Sequence, residues 1–330
     1  MKFSILDQVP ISEGKTAREA LEASIRLAQE AEKLGFERYW IAEHHDMAGL
    51  ANPNPGVMLS YIGAQTKKIR IGAGAVLLPH YQAYHIAETY NLLATLFPNR
   101  IDLGIGRAPG GSAEASIALS GNYLENVKKM PESLNDLLRF LYDEFPQNHI
   151  FSSISPSPVP TTPPIPWLLG TSEKSAILAA DKGMKYAFGH FMSDADGPQV
   201  VKRYREDFVM KNKDENPQAI IAVSVICAET TEKAEELALS SSLWRVQQEK
   251  GIYDIGVPTI DEAKSYHYTD RDIKIMNQLK KKLIVGNPQE VKRKLLDLQQ
   301  LYVADELMIV TITHDYEARK RSYQLLAEMM

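Results

Sequence analysis

Tyr39-Trp40-Ile41-Ala42-Glu43-His44-His45-Asp46 passes from an apolar run straight into four ionisable side chains. The apolar part reads as a strand buried on both faces, the type found in parallel sheets covered by helices. The ionisable part then falls where that strand emerges into a loop. Burying such groups is costly unless they are paired or used. Two adjacent imidazoles that change charge near neutral pH suggest proton chemistry, metal binding or a switch. The plainer reading is a polar surface loop in which Asp46 caps a helix.

Outward from this stretch, short strand-like runs alternate with longer helical ones. The strand-like runs are Phe3-Leu6, Arg38-Ala42, Ile69-Leu78, Ile101-Ile105, Trp167-Leu169, Lys185-Phe188, Ile220-Cys227 and Glu306-Val310. A helix starts at Thr16, with Glu19 closing a capping box, presents Leu21, Ile25, Ala28, Ala31 and Leu34 on one face, and stops at Gly35. Further helices are expected over about Tyr84-Leu96, Asn126-Phe145 and Glu173-Lys182, on to Met210, from Asn287-Pro288, and at the end of the chain to Met330. Two stretches interrupt the pattern: 107–166, with a Gly/Ala/Ser loop and a Pro-rich run, and the polar segment 250–282, which reads as a lid. Residues 1–330 are accordingly expected to form one (β/α)8 TIM barrel with these two insertions. The rival is an open doubly wound sheet. Asp7, Glu43-His45, His80, Arg107, Thr171-Ser172, His190 and His314 all lie just beyond the carboxyl ends of expected strands, and a barrel gathers those ends on one face.

Composition narrows the function classes. The chain has 330 residues, 44% hydrophobic and 24% charged, with a net charge of -5. It has no basic stripe of the kind nucleic-acid binding requires. The single Cys227 excludes an internal disulfide and a cysteine-cluster metal site and fits a reducing compartment. No apolar run approaches the length of a membrane span, and the first residues lack a signal-peptide core. A cytoplasmic protein without nucleic-acid or membrane partners is expected.

Three segments can carry chemistry. Gly104-Ile105-Gly106-Arg107-Ala108-Pro109-Gly110-Gly111 fails as a dinucleotide fingerprint, because its third Gly is late and Pro109 interrupts the helix start. It fits instead a strand ending in small residues for close approach of a flat ligand, with Arg107 aimed at an anion or held in a rim salt bridge. Gly170-Thr171-Ser172-Glu173-Lys174-Ser175 joins a strand to a helix N-terminus, where phosphate binds well and where the same residues serve as ordinary caps. Adjacent histidines on an extended segment point to opposite sides, so His44 and His45 rarely share a metal, and no metal site is expected. Glu43 can instead orient one imidazole while that ring acts as acid or base. His85, His149 and His267 read as structural histidines and Cys227 as a buried strand residue.

Taken together, Trp40-Ile41-Ala42-Glu43-His44-His45, Gly72-Ala73-Gly74-Ala75-Val76-Leu77-Leu78-Pro79, the Glu88-Asn91-Leu92-Leu93 helix face, Gly104-Ile105-Gly106-Arg107, Gly170-Thr171-Ser172-Glu173-Lys174-Ser175-Ala176 and Gly286-Asn287-Pro288 resemble the bacterial luciferase-like flavin monooxygenases. The match runs in order over nearly the whole chain and is closest to single-chain, luciferase-like oxidoreductases. The resemblance implies a barrel that binds reduced FMN, a flavin peroxide formed with molecular oxygen, and oxygenation of a small organic substrate. It implies catalytic roles for His44, Glu43 and His45, with His44 as the acid or base. It implies cofactor contacts from Gly74, Ala75, Gly106, Arg107, Gly170, Thr171, Ser172 and Ser175, with a cis peptide at Gly74-Ala75. A separate flavin reductase and a homodimer complete the picture. Light-emitting members carry cysteine at the position of Gly106 and an acidic residue at that of Thr171, and their 250–282 segment differs in residues, which argues against light emission. A deazaflavin hydride-transfer enzyme on the same barrel, a non-catalytic flavin-binding protein and a metal-dependent hydrolase are the rival readings.

Overall fold

The structure, a computed structural model, describes residues 1–210, 216–253 and 255–329. In chain order it contains β1 (Phe3–Asp7), α1 (Ala17–Leu34), β2 (Arg38–Ile41), α2 (Pro55–Gln65), β3 (Arg70–Leu77), α3 (Ala83–Leu96), β4 (Ile101–Gly106), α4 (Ala113–Ser120), α5 (Tyr123–Tyr142), β5 (Ile165–Gly170), α6 (Glu173–Asp181), β6 (Lys185–Gly189), α7 (Gly197–Glu206), β7 (Ala219–Cys227), α8 (Thr231–Glu249), α9 (Ile260–Ser265), α10 (Asp270–Lys280), β8 (Leu283–Gly286), α11 (Pro288–Tyr302), β9 (Glu306–Val310) and α12 (Tyr316–Ala327). Strands β1 to β7 pair in parallel with their neighbours, β7 pairs with β9, and β9 returns to β1 with Phe3 opposite Leu307. Eight strands therefore close a (β/α)8 barrel. The expected end of the last helix at Met330 lies outside the described residues.

Alternation along each strand makes two cores. Phe3, Ile5, Tyr39 and Ile41 face outward into the helix layer. Leu6, Trp40, Ala42, Trp167, Ala187, Ile220, Ala222, Met308 and Val310 fill the barrel itself. Trp40 and Trp167 meet edge to face at 5.6 Å in the middle. Below them lies a buried ion cluster: Arg38 donates to Glu306 at 2.8 and 2.9 Å and to Asp102 at 2.8 Å, Arg70 adds bonds to Asp102, and the Trp40 indole donates to the same carboxylate at 3.0 Å. Side chains thus close the barrel at its amino-terminal end, and any cavity for chemistry must lie at the other.

Four features depart from the sequence reading. Helix α2 was not among the expected helices; Asn54 caps it and Pro55 occupies its first position. Helix α4 folds inside the stretch expected to be a Gly/Ala/Ser loop. The polar segment 250–282 is not one long loop but carries α9 and α10, each opened by a threonine capping box. The ninth strand, β8, lies outside the barrel and pairs with Ser224 to Cys227 of β7, while β9 takes the earlier half of that long strand. Among the described residues no helix is long and apolar enough to cross a membrane.

Candidate active site

Beyond Ile41 the chain is pinned from two sides. The Asn52 side-chain amide donates to the Ala42 carbonyl at 2.6 Å, the His44 N–H to the Asn52 carbonyl at 3.0 Å, and the His45 N–H to the Gly110 carbonyl at 2.8 Å. Gly111 lies so close to this segment that a Cβ there would fall 1.9 Å from the His45 carbonyl oxygen, and Gly110 has φ +70°. The paired glycines therefore let the loop after β4 lie directly on the His-His backbone.

Glu43 is buried, and its Oε1 accepts 2.8 Å bonds from His45 Nε2 and the Tyr81 hydroxyl. Oε2 accepts a longer bond of 3.3 Å from the Leu77 N–H. Burial first, then the Glu43 charge, pushes the Tyr81 hydroxyl well up, which keeps it a donor. The imidazole that Glu43 orients is thus His45. His44 is left with a buried Nδ1 that has no hydrogen-bond partner among the described residues. Burial, with His45 adding to it, holds the His44 imidazole down to about 4, so the ring is neutral at pH 7 and able to accept a proton. The two imidazoles are held differently: Glu43 ties down His45, whereas His44 Nδ1 has no partner among the described residues.

His80 was a weak signal alone. It is buried, contacts the Pro109 carbonyl at 2.8 Å through Nε2, stacks on Tyr123 at 5.1 Å and meets the His45 ring edge to face at 5.7 Å. Its place is behind the site, holding the loop after β4. Asp46, expected as a helix cap, instead accepts a 2.5 Å bond from Ser112, which itself caps α4. Asp7 does not join the rim. It points outward, where it pairs with Arg319 and accepts from Ser24 and Tyr39. His190 is held through Nδ1 by the Tyr302 hydroxyl at 2.8 Å, and His314 contacts the Glu13 carbonyl at 3.1 Å. His149 packs among Phe145 and Phe151 and Cys227 is buried in β7, both as expected, whereas His85 and His267 are exposed.

Small residues line the ends of β3 and β4, the strands that follow β2 around the barrel. The peptide bond Gly74-Ala75 is cis, at the point where the register of β3 against β4 shifts. Gly106 ends β4 against Ala75. Arg107 follows, exposed, and its guanidinium makes no ion pair among the described residues, so the rim salt bridge considered from sequence is absent there. Its charge reaches Tyr186, whose hydroxyl is pushed up to about 12 by burial and drawn back by Ser175 and Arg107. Tyr186 in turn bonds Ser175 at 2.9 Å at the start of α6. Ser175 also donates to the Ser172 carbonyl at 2.6 Å, so its hydroxyl is engaged within the helix start. A Cβ on Gly170 would fall 2.1 Å from the Ser175 oxygen, which is why glycine precedes this turn. At the start of α6 the N–H groups of Glu173 and Lys174 remain available, whereas that of Ser175 donates to the Ser172 carbonyl at 3.1 Å. Thr171 offers its carbonyl to Ser193 at 2.8 Å. Tyr81, Asn52 and Tyr302 were not singled out from sequence. Tyr81 alone had a signal, its place just past the end of β3. Among the described residues no cluster of three or more His, Cys, Asp or Glu side chains could hold a metal.

Residues 1–305 match the family model described as luciferase-like monooxygenase. The chain belongs to that family. Its relatives include YceB of Bacillus subtilis (strain 168), 43% identical over 99% of this chain and 98% of that protein. The N-acetyl-S-alkylcysteine monooxygenase of the same organism is 35% identical, again over 99% and 98% of the two chains. Among solved structures, apo-MsnO8 has a TM-score of 0.90 at 33% identity, covering 99% of this chain and 98% of its own. Two more distant structures share the fold alone. One is the oxygenating constituent of 3,6-diketocamphane monooxygenase from Pseudomonas putida in complex with FMN, with a TM-score of 0.72 at 20% identity over 100% and 97% of the two chains. The other is an F420-dependent secondary alcohol dehydrogenase, with a TM-score of 0.72 at 13% identity over 100% and 98%.

Proposed function

We propose that this luciferase-like monooxygenase is FMN-dependent and uses reduced FMN with molecular oxygen to oxygenate a small organic sulfur compound. The observation that carries the reading is the unpaired Arg107 guanidinium, one residue beyond Gly106 and electrostatically coupled to Tyr186 at the start of α6. A planar cation without a counter-ion beside a helix N-terminus suits a phosphate monoester. The small rim of Gly74, Ala75 and Gly106 suits a flat ring system, and the orphaned Nδ1 of His44 suits a polar atom or proton of a ligand there. These residues fit FMN.

When bound, reduced FMN supplies the two electrons with which oxygen is activated. The protein's own part is binding and proton handling. Arg107, the α6 N–H groups, Thr171 and Ser172 hold the phosphate. Gly170 and Ser175 shape the turn that presents them. Neutral His44 accepts or returns a proton at Nδ1, and Glu43 fixes His45 beside it. Sulfur heads the substrate classes because one relative is an N-acetyl-S-alkylcysteine monooxygenase.

A separate reductase delivers the reduced cofactor, since Pro109 spoils the one glycine-rich stretch that could have cradled a nicotinamide dinucleotide. A homodimer is supported by Val57 and Tyr61 on α2 and Leu92 and Leu96 on α3, four large apolar side chains exposed on adjacent helices. Buried Cys227 as the lone thiol fits a cytoplasmic protein. Anaerobic titration with reduced FMN, followed by oxygen and a panel of thioethers, aldehydes and amines, tests the reading. Oxygen uptake coupled to product is expected with a thioether. No oxygen uptake, or turnover with reduced deazaflavin alone, would exclude it.

A further inference from the structure

His80 and Tyr123 are two rings against the loop after β4 that have no part in the chemistry proposed above. The Pro109 carbonyl can only accept, so His80, 2.8 Å from it, carries its hydrogen on Nε2. The buried His80 ring is a platform for the Tyr123 ring, with centroids 5.1 Å and planes 29° apart. Tyr123 is the first residue of α5, and from that platform its hydroxyl donates to the Arg107 carbonyl at 2.5 Å. The Gly110 carbonyl accepts from the His45 N–H at 2.8 Å. The carbonyls of Arg107, Pro109 and Gly110 are therefore each held by a donor from outside the loop. The Arg107 side chain is exposed, and its charge reaches two hydroxyls. Burial raises the Tyr123 hydroxyl and Arg107 draws it back, as it does for Tyr186 on β6.

We propose that Tyr123 is a positioning residue for Arg107. Its hydroxyl, braced by His80, fixes the peptide between Arg107 and Ala108, and with it the direction in which the guanidinium leaves the loop toward a phosphate monoester. Gly110 and Gly111 give this loop little stiffness of its own, so its conformation must be set by contacts from outside. An arginine whose backbone is already set has less freedom to lose when it binds. Tyr123 does not touch the ligand; it acts through Arg107. The phosphate rests on the FMN reading above, whereas the tethering of the peptide does not.

Tyr123→Phe keeps the ring on His80 and removes only the donor. Titration with oxidised FMN and with riboflavin should show FMN weakened about three- to tenfold, the worth of one hydrogen bond, and riboflavin unchanged. In an Arg107→Ala background the same substitution should leave FMN affinity unchanged, because Tyr123 then has nothing to act through. Equal weakening of both ligands makes Tyr123 a packing residue and overturns the proposal. A full effect that persists without Arg107 makes it a direct ligand contact and overturns it too. A second readout needs no flavin. Backbone ¹⁵N relaxation of Ala108, whose N–H belongs to the tethered peptide, should give an order parameter of about 0.85 in the unmutated protein and below about 0.6 in Tyr123→Phe. Equal values overturn the tether. Should Arg107→Ala bind FMN as tightly as the unmutated protein while the Ala108 difference appears, the phosphate reading of Arg107 alone has failed and Tyr123 still sets the loop.

Discussion

His44 and His45 differ by one position and by everything their neighbours do. His45 is tied to Glu43, whereas His44 has an unpartnered buried nitrogen and a pKa held down to about 4 by burial and by His45. His44→Ala should keep the fold and FMN binding but slow the reaction of the reduced complex with oxygen by about 10²- to 10⁴-fold, the range of a positioned acid or base. Stopped-flow traces that match the unmutated protein would defeat the assignment. The same shift has a sign in stability. Folded His44 titrates below the unfolded value of about 6.5, so the unfolded chain takes the proton first. The His44 contribution is neutral above that value and becomes destabilising as pH falls through the window down to about 4. NMR titration of the His44 ring should find its midpoint near the lower end, and a midpoint near 6.5 would contradict it. For Arg107, loss of charge-assisted bonds worth about 1.5–3 kcal/mol predicts that Arg107→Ala weakens FMN about ten- to a hundredfold, with riboflavin little affected. Equal weakening of both ligands would move Arg107 away from the phosphate. The position of Glu43, His44 and His45 at the carboxyl end of a strand was legible because they follow a buried apolar run. Which imidazole Glu43 grips was not, since that depends on Tyr81 and Leu77 arriving from β3.

At the scale of elements, capping chemistry was the most legible signal. Thr16 and Glu19 form the expected capping box of α1, Gly35 ends that helix in the left-handed region, and Asn287 accepts from the N–H groups of Gln289 and Glu290 at the start of α11. Asn287 also donates to Thr231 at 3.0 Å and so joins α11 to α8. Asn287→Ala should cost about 1 kcal/mol or somewhat more, because a cap and an inter-helix bond go together. Chemical denaturation gives the value, and an unchanged midpoint would mean the cap is replaced by water. The elements that stayed hidden share a physical cause. Helix α2 is apolar on several sides and opens with prolines and a glycine, so it lacks a polar face to reveal its period. Helices α9 and α10 are mostly polar and gain order by packing on α8 rather than from an apolar stripe of their own. Strand β8 is four residues long, and its existence depends on β7 outrunning β9.

The molecule as a whole closes through contacts that no local pattern announces. Strand β1 must meet β9, and the ends of the chain are stapled by Asp7 and Arg319, both almost wholly buried. Arg319 also donates to the Thr311 carbonyl at 2.9 Å just past β9, so one guanidinium holds the first strand and the exit of the last. Sequence reading placed Asp7 on the functional rim because it ends a strand. The deciding fact is the side chain's direction, and that follows from the presence of Arg319, Ser24 and Tyr39 in the helix layer. Burial alone would push the Asp7 carboxyl up, but Arg319 and the bonds from Ser24 and Tyr39 outweigh it and hold it below 3.8. Folding therefore favours ionised Asp7. Its contribution is complete above the unfolded value, and is lost as pH falls through the lower folded one. Arg319→Met removes one partner of a buried pair and should cost about 3–5 kcal/mol at neutral pH. Asp7→Asn in the same background should recover part of that loss, because the stranded charge is gone. Urea unfolding of the two variants and the unmutated protein at pH 7 decides the matter. If Arg319→Met alone is as stable as the unmutated chain, barrel closure does not depend on this staple.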